Sequence, residues 1–225
     1  MKRIVLFFLL MTGVAAYSQN IQLHYDFGEN RKFFTSTVEM FKPDTFGSTF
    51  FFIDIDYGGT NKNEATLGYF EIARDFKFWK APLTAHIEFN GGNLVIPEAT
   101  GISLPNNWLF GAAYTFFIGK SSLTTQLLYK SFSYGSDGPD FQWTNVFFVP
   151  MLDYKLIFTG FIDVWTQDKI PGGDEKNIIL LTEPQLWYNV YKDFSIGGEL
   201  EISKNFVAGS TDFEFMPTLG VKYNF

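Results

Sequence analysis

Ile21-Gln22-Leu23-His24-Tyr25-Asp26-Phe27 alternates apolar and polar residues without a slip. Successive side chains of a β-strand point to opposite faces, so this stretch presents Ile21, Leu23, Tyr25 and Phe27 on one face. Gln22, His24 and Asp26 occupy the other. The same period recurs in Phe51-Phe52-Ile53-Asp54-Ile55-Asp56-Tyr57 and Leu83-Thr84-Ala85-His86-Ile87-Glu88-Phe89, and again at 123–129, 195–202 and 219–225. Turn-forming residues divide the chain into segments near 20–28, 33–41, 48–58, 65–74, 83–90, 107–118, 122–132, 141–150, 155–166, 177–189, 194–203 and 212–225. The reading is all-β, with about 12 antiparallel strands of membrane-spanning length and their joints.

The composition narrows the class. The 225 residues include 28 Phe, 11 Tyr and 5 Trp but no Cys, and only 18% are charged. So aromatic and uncharged a chain is not disordered, and it has neither disulfides nor thiolate metal sites. Seventeen basic against 24 acidic residues give a net charge of −7. Nucleic-acid binding draws on neutralised phosphates, so an acidic chain without a basic stripe is excluded from that class.

Lys2-Arg3 followed by an apolar run to Ala16 and by Ala16-Tyr17-Ser18 has the pattern of a secretory signal peptide. Residues 1–18 are expected to be cleaved, leaving 19–225 as one domain. No later stretch is apolar enough for a transmembrane helix.

An alternating strand suits a soluble sandwich or a membrane barrel, and three features favour the barrel. The first is the export signal. The second is the position of the basic residues: Arg31, Lys32, Lys42, Lys62, Lys77, Lys80, Lys120, Lys155, Lys169, Lys176, Lys192 and Lys204 sit at joints or strand ends. A basic side chain facing mid-bilayer lipid costs roughly 2–4 kcal/mol. The third is a set of aromatics near strand ends, Phe27, Tyr57, Trp79, Trp108, Trp187, Tyr188, Tyr223 and Phe225, where amphipathic rings meet the membrane interface. Apart from a short joint at 29–32, short joints alternate with longer Gly- and Asn-rich ones at 59–64, 90–106, 133–140, 167–176 and 204–211. A spanning sheet must close to leave no edge in lipid. The expectation is a transmembrane antiparallel β-barrel in the outer membrane, with both termini periplasmic.

The ending Thr218-Leu219-Gly220-Val221-Lys222-Tyr223-Asn224-Phe225 resembles the terminal signal of outer-membrane barrels. That resemblance implies recognition by the barrel assembly machinery through Phe225. The chain also resembles the Tsx-like family of nucleoside-specific outer-membrane channels, in His24-Tyr25-Asp26-Phe27-Gly28, Gly47 to Tyr57, Phe70-Glu71-Ile72 and Tyr223-Asn224-Phe225. The resemblance implies passive nucleoside entry through a narrow, monomeric pore.

With the apolar face on lipid, alternation sends inward His24, Asp26, Glu39, Asp54, Asp56, Glu71, His86, Glu88, Gln126, Lys130, Asp163, Glu183, Glu199, Glu201, Glu214 and Lys222. Such an acidic lumen disfavours anions and admits neutral or cationic solutes. Carboxylates accept hydroxyl hydrogen bonds, and Phe52 and Trp165 offer rings for stacking. The candidate solute-binding set is His24, Asp26, Phe52, Asp54, Asp56, Glu71, His86, Glu88, Lys130, Asp163, Trp165, Glu199 and Glu201, with no cofactor. The alternatives are a barrel hydrolase of lipid or lipid A, using His24 or His86 with a serine such as Ser36 or Ser195, and a closed structural barrel. Pro184 lies inside the tenth strand, where it predicts a bulge and leaves the facing of Glu183 and Gln185 open. Trp143 to Phe148 alternate too poorly to assign a face.

Overall fold

A computed structural model describes residues 19–29, 31–58, 64–95 and 101–225. The expected signal peptide at 1–18 lies outside the described residues, as do 59–63 and 96–100. The strands are β1 (Gln19–Asp26), β2 (Phe34–Asp44), β3 (Gly47–Tyr57), β4 (Leu67–Phe76), β5 (Leu83–Val95), β6 (Gly101–Ile118), β7 (Ser121–Phe132), β8 (Asp140–Met151), β9 (Leu156–Asp168), β10 (Lys176–Thr182), β11 (Gln185–Tyr191), β12 (Phe194–Lys204) and β13 (Phe213–Asn224). Each pairs antiparallel with its neighbours, and β1 pairs with β13, so the sheet closes on itself. β10 and β11 are two halves of one stave, which makes a twelve-stranded barrel. Both termini lie at one end: Asn20 pairs with Asn224, and the Phe225 N–H donates to the Gln19 carbonyl. No helix among the described residues is long and apolar enough to cross a membrane.

The stave break falls at Glu183-Pro184, as the proline suggests, but it is not a bulge. Thr182 pairs with Ile162 and Gln185 with Thr159, so the register toward β9 runs on unshifted. The register toward β12 is equally continuous, from Thr182↔Ile202 to Gln185↔Glu199. The missing proline N–H is absorbed as a gap in the ladder. Gly160 makes this possible: its φ is 146°, and a Cβ there would lie 2.2 Å from the Glu183 carbonyl oxygen. Because register is kept, Glu183 and Gln185 both face inward with Leu181 and Trp187.

The joint expected over 90–106 is shorter than its composition suggests. β5 and β6 continue as a ladder to Val95↔Gly101, with one register irregularity between Asn90 and Gly92. Glycine and asparagine read as loop residues, yet a paired hairpin carries them once its partner strand is in place.

The outer surface is apolar. Leu127 and Leu219 are 69% and 65% exposed, pointing away from the barrel. Phe27, Tyr57, Trp79, Tyr188, Tyr223 and Phe225 face outward near the strand ends, whereas Trp108, expected at a strand end, faces outward from the middle of β6 because that strand begins at Gly101. Trp187 does not join them, which corrects the expected girdle. It is fully buried inside the barrel. Adjacent strand residues must point to opposite faces, so Trp187 turns inward when Tyr188 takes the lipid side. In β8, Phe141 and Trp143 face outward and Gln142 and Thr144 inward. Asn145 follows on the outer face but is buried there.

Candidate functional site: the barrel lumen

The inward alternation brings the polar side chains onto a common inner wall, in register. Thr37 pairs with Asp54 and Thr35 with Asp56 across β2 and β3, and Thr144 pairs with Asp163 across β8 and β9. In each pair the threonine hydroxyl donates to the carboxylate, at 2.5, 2.7 and 2.5 Å respectively. A hydroxyl fixes the orientation of the acid without cancelling its charge. Asp54, Asp56, Glu71 and Asp163 are half-buried, as is Glu199, so the lumen reaches them. The fields of Glu88, Asp163 and Asp54 fall on Glu71, opposed by that of the Lys130 ammonium.

A second group is sealed. Along β5, His86 faces Asp75 through Nδ1 at 3.0 Å and Glu88 through Nε2 at 3.3 Å. Asn90 donates to Glu88, and Asn107 on β6 donates to Asn90. Lys130 is buried on β7. It donates to Gln142 at 2.8 Å, and its ammonium lies 4.3 Å from the Trp165 ring centre, a cation–π contact. Phe206 meets the Trp165 ring edge-on, and the residue is buried.

A third group lines the wall where the first and last strands meet. His24 bonds Gln22 through Nε2 and Thr218 through Nδ1, both at 2.9 Å. The Trp187 indole stands edge-on to His24, with the Lys222 ammonium 4.2 Å from its ring. Gly197 gives the indole room, since a Cβ there would sit 2.8 Å from it. Glu199 lies 3.8 Å from His24, and Asp26 and Glu201 share the Arg31 guanidinium.

All the acidic and basic candidates read from the alternation therefore face the lumen. They divide into partners that seal one another and acids left accessible. Phe52 is half-buried against Phe50 and Tyr69. Alternation overlooked three contributors. Trp187 was assigned to the girdle, although strict parity with Tyr188 already turned it inward. Arg31, a joint residue, enters the lumen from its loop, which no strand period signals. Tyr69 shares a face with Glu71 and was legible by the same rule. Among the described residues neither histidine bonds a serine: Ser195 donates to Asn189, and Ser36 pairs with Tyr57 on the outer face.

At the rim opposite the termini, Lys176 ties the base of the 169–175 connection to Asp168 and to Asp140 of the neighbouring hairpin. Lys176, helped by the backbone N–H groups of Asp137 and Gly172, holds the Asp168 carboxyl down to about 2.

A closed barrel with a greasy exterior and a polar, partly accessible interior is the architecture of an outer-membrane porin. Solved structures agree on the fold. The NanC porin aligns with a TM-score of 0.60 at 9% identity, over 92% of this chain and 100% of that one. The KdgM porin in complex with disordered oligogalacturonate aligns with a TM-score of 0.53 at 11% identity, over 92% and 99%. No curated protein matches the chain. The family model described as a domain of unknown function, DUF5020, matches residues 18–225, and the chain belongs to that family.

Proposed function

We propose that the protein is a monomeric, passive diffusion channel of the outer membrane for small neutral or cationic polar solutes, nucleosides among them. Both termini face the periplasm in this reading. The observation that carries it is the accessible acidic wall of Asp54, Asp56 and Glu71. Two of these acids are held by threonine hydroxyls rather than by bases, so no cation is bonded to their carboxylates. In a confined lumen such charges favour cations and exclude anions.

The oligogalacturonate bound by KdgM carries a carboxylate on every sugar. A lumen lined by acids would repel it, so that solute is not carried over. Phe52 and Tyr69 lie beside Asp54 and Glu71, pairing a flat ring surface with hydroxyl acceptors. That combination suits a ribose bearing a base, in keeping with the Tsx-like motifs. His24, Asp26, His86, Glu88, Lys130, Asp163, Trp165, Glu199 and Glu201 complete the proposed lumen set, with the sealed members shaping the wall that the accessible ones use.

Planar-bilayer recording tests the proposal. Single channels should conduct with a reversal potential on the cation side, and added nucleoside should reduce the current. Liposomes carrying the protein should swell in nucleosides faster than in uronates. Absent conductance, or equal swelling with uronates, overturns the reading.

A further inference from the structure

Arg31 belongs to the 27–33 connection, yet its guanidinium folds into the barrel mouth opposite the termini. Nη1 lies 3.2 Å from Asp26 Oδ2 on β1, and Nη2 lies 2.9 Å from Glu201 Oε2 on β12. Those strands are separated by β13, so the side chain braces the wall across about 10 Å, twice the strand spacing. The approach is prepared locally: the Gly28 N–H donates to Asp26 Oδ1 at 2.6 Å, and the Arg31 N–H donates to the Gly28 carbonyl. The two acids have no other cation in hydrogen-bond contact among the described residues. The second Glu201 oxygen, Oε1, is buried without a hydrogen-bond partner among the described residues. The field of Arg31 also reaches Asp56, Glu183 and Glu199. Lys222 also faces Glu199, but the cation bonded to Asp26 and Glu201 is the Arg31 guanidinium, which is itself 30% exposed.

We propose that Arg31 is the specificity-determining counter-ion of this mouth, limiting how strongly the lumen prefers cations. The inference rests on the channel reading and adds the residue that tunes it. A pure brace and a counter-ion make different predictions. Losing a brace loosens the mouth whichever partner is removed. Losing a counter-ion changes selectivity with a sign set by the charge removed.

The chain has no cysteine, so Arg31→Cys introduces a unique thiol that can be recharged in the folded channel. At low salt the variant should raise the cation-to-anion permeability ratio about twofold or more, and the change should shrink in molar salt, where screening falls to a few ångströms. A trimethylammonium-bearing methanethiosulfonate should return the ratio toward wild type, and a sulfonate-bearing one should raise it further. Asp26→Asn with Glu201→Gln removes the two acids bonded to Arg31 and should move the ratio the opposite way. This double variant tests the sign even where Arg31→Cys assembles poorly. Shifts of one sign in both variants, or ratios indifferent to the reagents, overturn the inference. A wild-type protein that does not conduct overturns the channel reading instead.

Discussion

Two walls of the lumen are built from the same alternating strands and end up with different properties. On the wall of β1, β11, β12 and β13, Gln22, His24, Asp26, Trp187, Ser195 and Ser203 are almost wholly buried. Amide, imidazole, indole and hydroxyl groups partner one another there, with Lys222 and Arg31 set against them. On the wall of β2, β3 and β4, Asp54, Asp56 and Glu71 remain half-buried. Facing inward is therefore not the same as being available. Bulky partners such as Trp187 and Arg31 turn one wall into a polar core. Short threonine donors on the other hold carboxylates in place and leave them open to the lumen.

Trp187→Ala should break the contrast most. Truncating a fully buried tryptophan costs about 3–5 kcal/mol, and the variant should unfold at clearly lower urea in detergent micelles. An unchanged midpoint would mean that this wall does not act as a core. Asp54→Asn with Asp56→Asn should do the reverse. Stability should change by less than about 1 kcal/mol, because the threonine hydroxyls still have an oxygen to donate to. The cation permeability ratio should fall severalfold, and an unshifted reversal potential would remove these acids from the conduction path.

Thr37→Val separates holding from charge on the open wall. Losing one hydrogen bond to a carboxylate should cost about 1–2 kcal/mol and lower the melting temperature of the folded barrel. Ion preference should stay close to wild type. A large selectivity change would show that Asp54 needs its hydroxyl partner to be effective.

The smallest effect is expected at the rim, outside both walls. The Asp168 carboxyl lies below its ordinary value near 4, so its link to Lys176 stabilises the 169–175 connection from about pH 4 upward for as long as Lys176 keeps its proton. The stabilisation is lost as pH falls from there through about 2. Pepsin should spare this connection at pH near 4 and cut it near 2. Equal cleavage at both would show that the pair does not secure the loop.

Much of this was legible before any fold was known. The run from Ile21 to Phe27 and its repeats assigned inner and outer faces correctly, because the strand period is local and needs no partner. Pro184 marked the broken stave for the same reason, since a residue without an N–H interrupts any ladder. The continuous register across it was not legible, because register belongs to β9 and β12 and to the space opened by Gly160. The hairpin beyond Asn90 was hidden by residues whose loop preference pairing overrides.

The candidate site was less transparent than the fold. Residue type and parity placed His24, Asp54, Glu71 and Asp163 on the inner wall. They carried no information on which acid would meet a base, a hydroxyl or open lumen. Asp26 and Glu201 stand far apart in the chain and share Arg31 only because β1 closes against β13 beside β12. The amino-acid sequence alone therefore determined the barrel, its lipid-facing exterior and the acidity of its interior, all consequences of a two-residue period. Closure of the sheet decided which of those acids stay accessible, since burial and pairing depend on neighbours that only the closed cylinder brings together.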